Sequence, residues 1–94
     1  MPGVVRKGDL GSGHDGHPGT ISDECSDNVF VNGKGAVREG DKLIPHGHPR
    51  EAKCCSKTVF VNGKGVVRLG DCIECEKKEL SMFIESSDNV IAGG

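Results

Sequence analysis

The sequence predicts an all-β fold, a small three-sided β-prism made of three pseudo-threefold repeats. Three observations predict it. Residues 28–41, NVFVNGKGAVREGD, recur at 58–71 as TVFVNGKGVVRLGD, with eleven of fourteen positions identical at an offset of thirty, and such self-similarity marks a repeat architecture. Pieces of a third copy stand at the two ends of the chain. The 94 residues are only 34% hydrophobic, with 15 Gly, three Phe and neither Trp nor Tyr. A core built from them is thin, and a metal, disulfides or a partner chain must compensate.

The chain opens on Val4-Val5-Arg6-Lys7-Gly8-Asp9, which matches Ala36 to Asp41 and Val66 to Asp71. This is the return strand of the split copy. Within each intact copy, Val29-Phe30-Val31 and Val59-Phe60-Val61 are strand formers. Asn32-Gly33 and Asn62-Gly63 suit a tight turn with positive φ. Val37-Arg38 and Val67-Arg68 return as the second strand, and Gly40-Asp41 and Gly70-Asp71 end it. Asp88-Asn89-Val90-Ile91-Ala92-Gly93-Gly94 matches residues 27–33, so the termini are expected to meet and complete a third strand pair. Loops 10–27, 42–57 and 72–87 all follow a Gly-Asp and should leave one end of a single domain spanning 1–94. One short helical turn is expected near Glu74–Leu80, where charge is dense and Gly is absent.

Bulk properties exclude several functions. A net charge of −2 with 28% charged residues forces no basic face, which disfavours nucleic-acid binding. No apolar run is long enough to span a bilayer. Met1-Pro2-Gly3-Val4-Val5-Arg6 has no apolar signal segment, so the expectation is synthesis in a reducing cytoplasm. Five Cys is an odd number, and adjacent Cys54 and Cys55 are poorly placed to pair with each other. Metal binding is therefore the better reading of the Cys than a full disulfide framework.

His and Cys cluster in the three loops. His14 lies five residues after Asp9, His46 five after Asp41, and Cys75 four after Asp71. Equivalent positions of three related loops would bring these side chains together. His48, two residues beyond His46, supplies a fourth ligand. A set of His14, His46, His48 and Cys75 suits zinc, with iron as the other candidate, and four protein ligands make a closed structural site. His17, Cys54, Cys55 and Cys72 are the alternatives for a place in that set. Cys25 reads as a packed or reduced thiol.

Other motifs have plainer readings. The repeated Asp9, Asp41 and Asp71 are turn chemistry, not catalytic acids, because Asp bonds nearby backbone N–H groups. NGKG lacks the longer Gly-rich loop leading into a helix that a phosphate cradle needs. Arg6, Arg38 and Arg68 line the surface or pair with the Asp residues, and Lys34 and Lys64 are solvated. No catalytic residue is expected.

Val29 to Asp41 and its copy at 59–71 resemble the PAAR-repeat proteins. The Pro-Ala-Ala-Arg segment of that family reads here as Gly35-Ala36-Val37-Arg38 and Gly65-Val66-Val67-Arg68, with Gly in place of Pro. Gly8-Asp9-Leu10-Gly11-Ser12-Gly13-His14 is similar to the family's first loop, and Ser87-Asp88-Asn89-Val90 to its last strand. The resemblance implies a conical tip with a metal near its apex, capping the homotrimeric β-helical spike of a contractile phage tail or a type VI secretion system, one chain per trimer. It implies three His and one Cys as ligands, which by position are His14, His46, His48 and Cys75. It also implies a non-enzymatic, membrane-piercing role, transient contact with a target cell envelope, and assembly at the tip of a virion tail or secretion spike. The length looks like that of a bare tip, which favours the phage form. The competing reading is a free-standing zinc-binding β-module for protein interaction. It is disfavoured because Cys72-Ile73-Glu74-Cys75 is a lone C-x₂-C pair. A metalloenzyme would need a general base, for which Asp15 is the obvious candidate.

Overall fold

A computed structural model describes residues 2–13, 18–45, 49–75 and 80–93. Among them all regular structure is β. The strands are β1 (Leu10–Gly11), β2 (Thr20–Ile21), β3 (Phe30–Val31), β4 (Lys34–Gly35), β5 (Arg50–Ala52), β6 (Phe60–Val61), β7 (Lys64–Gly65), β8 (Cys72–Cys75) and β9 (Leu80–Met82). They are short because turns interrupt the chain every few residues. The molecule measures 32 × 23 × 23 Å.

The repeats form the hairpins that their sequence predicts. β3 pairs with β4, Phe30 opposite Gly35, and β6 with β7, Phe60 opposite Gly65. Asn32 and Gly33 have φ of 54° and 79°, and Asn62 and Gly63 of 55° and 78°, the left-handed pair of a type I′ turn. The chain ends meet as expected: Gly3 bridges Ile91, and the Val4 amide donates to Val90 O at 2.9 Å. Ser26, Ser56 and Ser87 brace the entry to each outgoing strand. Each hydroxyl accepts from two amides just ahead of it, Val29 N at 3.0 Å, Val59 N at 3.0 Å and Val90 N at 2.9 Å being the shorter contacts.

The return segments behave differently from the expectation. The hairpins end on the bonds from Ala36 N to Val29 O and from Val66 N to Val59 O, and from there residues 36–38 and 66–68 pair with other copies: Arg6 bridges Ala36, Arg38 bridges Val66, and Val4 bridges Arg68. At the centre the amides of Val5, Val37 and Val67 donate to Val67, Val5 and Val37 in turn, at 2.9, 3.0 and 3.0 Å. The three bonds close a cycle. The reason is burial: a return strand kept in its own hairpin would leave these valines in water, whereas in the cycle they are 0–1% exposed.

Two apolar clusters flank the cycle. Val4, Val31, Ala36, Val61, Val66 and Ala92 pack on the hairpin side, and Val5, Val37, Leu43, Ala52, Val67, Ile73 and Phe83 on the loop side. Around the second cluster the three loops form a closed circuit of backbone pairing. β1 pairs β2, Ser22 bridges Leu43, Lys42 bridges Glu51, β5 pairs β8, β8 pairs β9, and Phe83 bridges Gly11 back in the first loop. Among the described residues the circuit closes on itself, so its strands find pairing neighbours on both sides. The helical turn expected near Glu74–Leu80 is absent at its described ends. Glu74 lies in β8 directly opposite Leu80 in β9, because Ile73 and Phe83 must both face the core. Residues 76–79 lie outside the described residues.

Candidate metal centre

Strand alternation sorts the cysteines. β8 alternates outward and inward, with Ile73 and Cys75 buried and Cys72 and Glu74 more exposed. Cys72 therefore faces away from Cys75 and is joined to Cys54 in a disulfide, with 5.0 Å between the Cα atoms. This corrects the preference for metal binding over disulfides for Cys54 and Cys72, two of the alternative ligands. Cys54 cannot pair with its neighbour Cys55, but it pairs across the ladder, where Lys53 and Cys54 donate backbone bonds to Cys72 O. Cys54 and Cys72 are thereby spent as metal ligands.

Cys25 and Cys55 occupy matching places near the hairpins. Their side chains fill the space over Gly35 and Gly65, so that a Cβ on either glycine would collide with the thiol and with a backbone oxygen. Gly3, opposite Ile91, meets Ser86 and Ser87 in the same way. The Gly that replaces Pro in the repeat thus serves close packing. Burial pushes the Cys55 thiol pKa up, with Glu39 and Asp71 adding to it against Arg68 and Lys57.

Cys75 is the remaining thiol, reduced and 2% exposed at the inward end of β8. His14, His17, His46 and His48 lie outside the described residues. Among the described residues no three His, Cys, Asp or Glu side chains gather as a metal site. The segments leading into the histidines can still be followed. Ser12, two residues before His14, accepts from Arg50 Nη2 at 2.5 Å. Arg50, two residues after His48, stands opposite Cys75 in the β5–β8 ladder. Ile44, two residues before His46, donates its amide to Ile21 at 3.0 Å. All three loops therefore approach this end together.

Arg50 escaped the sequence reading. Its side chain is 1% exposed, and nothing but its cross-strand partner distinguishes it from a surface arginine. Burial lowers its pKa, and Cys75 opposes that shift. Nη1 donates to Thr20 Oγ1 at 2.9 Å, and Nε is buried without an acceptor among the described residues.

The carboxylates fall to structure. Asp9, Asp41 and Asp71 each bind the arginine three residues earlier in a two-pronged fork, with Nε to Oδ2 at 3.0, 2.9 and 3.0 Å. The same oxygen accepts the arginine amide at 2.8 Å in all three. The guanidinium then reaches the neighbouring copy, where Nη1 donates to Asn32 Oδ1, Asn62 Oδ1 and Gly93 O, while Nη2 donates to the carbonyls of Ser86, Cys25 and Cys55 within its own unit. The carboxylate hydrogen bond raises each arginine pKa.

The sequence profile of the PAAR motif family matches residues 10–94. The chain belongs to the PAAR family. That family is structural, associated with the spikes of contractile injection machines, and in this PAAR chain each Arg–Asp fork holds the arginine that bonds the neighbouring copy. No curated protein matches this PAAR chain.

Proposed function

We propose that the protein is the structural tip of a contractile injection machine, a conical three-sided prism with pseudo-threefold symmetry that caps a homotrimeric β-helical spike, one chain per trimer. One observation carries the reading. Phe30, Phe60 and Ile91 are 61%, 60% and 55% exposed, and each stands opposite the close-packing glycine of its unit: Gly35, Gly65 and Gly3. Three large apolar side chains at matching register positions form a self-repeating platform on the hairpin side. A trimer offers three copies of one complementary surface. The hairpins there are only two-stranded, so their edges can accept strands of the spike.

At the opposite end the loops enclose only the small apolar cluster of Leu43, Ala52, Ile73 and Phe83 with the three central valines. Zinc held by His14, His46, His48 and Cys75, or iron in its place, would supply bonds that add to that core, worth about 10–16 kcal/mol in small structural motifs. The donor chemistry fits: Cys75 offers a buried thiol, and Arg50, two residues after His48, stands opposite it and bonds Ser12 O, two residues before His14. The protein then needs no catalysis and no nucleic acid. It is made in the bacterial cytoplasm, joins a virion tail or secretion spike, and contacts the target envelope as force concentrates on the tip.

Co-purification with a trimeric spike fragment tests this. One chain per trimer is expected, and Phe30→Asp with Phe60→Asp should abolish the complex while leaving the tip folded. Unchanged capture by that variant would remove the platform from the reading.

A further inference from the structure

We infer that Arg50 is a positioning residue of the loop end: a single guanidinium ties the three loops together and sets where Cys75 is held for the metal. The inference rests on the reading of that end as a metal site. Arg50 belongs to the second loop. Its Nη2 reaches the outgoing limb of the first loop at Ser12 O, and its Nη1 the returning limb at Thr20 Oγ1. Its cross-strand partner on the inward face is Cys75, in the third loop. A planar guanidinium presents a rigid fork of donors that holds two such acceptors in fixed directions, whereas an ammonium is a compact point charge on a flexible stem.

The placement is costly, which is why it points to a role. A buried charge is unfavourable unless paired. Among the described residues no carboxylate pairs with Arg50; the buried Asp9 and Asp41, and Asp71, are taken by Arg6, Arg38 and Arg68. Neighbouring Glu51 and Glu74 project to the other face of the ladder. The polar group that stands opposite Arg50 on the inward side of the ladder is the Cys75 sulfur, itself buried. The Nε donor is buried without an acceptor among the described residues. Groups that orient a ligand in this way typically change metal affinity by about 10–100-fold when removed.

The test uses the full chain with Zn²⁺ or Co²⁺ alone. Zinc affinity is measured by competition with a chelator, and the cobalt complex by its thiolate charge-transfer absorption, at a temperature where circular dichroism shows each variant folded. Arg50→Met, which keeps the apolar stem, should weaken zinc by at least about tenfold and alter the cobalt band. Arg50→Lys, which keeps the charge but not the fork, should weaken zinc to a smaller extent, and it serves alone if Arg50→Met does not fold. Affinity within twofold of wild type and an unchanged cobalt band in a folded variant would overturn the positioning role while leaving the metal site standing. A wild-type protein that binds neither ion would overturn both.

Discussion

Replacing Asp41 by Asn removes the charge from one arginine fork without changing its size. Asp41 accepts three bonds from Arg38, from the amide at 2.8 Å, Nε at 2.9 Å and Nη2 at 3.0 Å. The Asn amide can keep one acceptor but turns a donor toward the guanidinium. Hydrogen bonds to charged groups are worth about 1.5–3 kcal/mol each, and breaking a buried pair about 3–5. The Arg38 side chain is 15% exposed and that of Asp41 4%, so water recovers part of the loss, and about 2–3 kcal/mol is expected. A chain of this length has roughly 5–14 kcal/mol of stability in all, so one substitution should fold, and two should remove about 4–6 kcal/mol of that total. Urea denaturation should show a midpoint lowered by about 1–2 M. Asp9→Asn should cost the same, since its fork has nearly identical distances and exposure. Asp71→Asn should cost somewhat less, because Asp71 is 12% exposed at its side chain. A loss below about 0.5 kcal/mol at Asp9 or Asp41 would refute the claim that the forks clamp the copies together. The arginine pKa values are raised on folding. The arginine side of this linkage is fully present below the unfolded arginine pKa and is lost as pH rises through the folded one, far into the alkaline range.

Two further outcomes follow from the thiols. Reducing the Cys54–Cys72 disulfide, which spans 18 positions, should destabilise the fold by about 3 kcal/mol on the loop-closure estimate; a thermal midpoint unmoved by reductant in the metal-free protein would contradict this. Cys55 should alkylate more slowly at pH 8 in the folded chain than in urea, followed by mass spectrometry, because its pKa is raised. By linkage its contribution is full below the unfolded thiol pKa and lost as pH rises through the folded value, and Cys55→Ser should remove that alkaline decline.

The repeat was legible because hairpin formation is local. Asn32-Gly33 and Asn62-Gly63 carry their turn in two residues, and the strand formers beside them need no distant partner to be recognised. The pairing of the termini was also legible, as the missing half of a motif already seen twice. The path of residues 36–38 was not. Sequence shows that Val37 wants burial, but not that the buried place lies against Val5 and Val67 of other copies. The disulfide was hidden for a related reason. Spacing excludes a bond between Cys54 and Cys55, but only the β5–β8 register brings Cys54 to Cys72 and turns Cys72 away from Cys75. Arg50 had no signal at all, since a buried and an exposed arginine read alike.

By itself, the sequence determined the all-β class, the three units and the family, because each is carried by residues close together in the chain. Tertiary structure alone decided which groups are neighbours across the three loops: the valine cycle, the partner of Cys54, and the burial of Arg50 beside Cys75. Those depend on register between strands far apart in sequence, and a shift of one residue there would exchange the inward and outward faces.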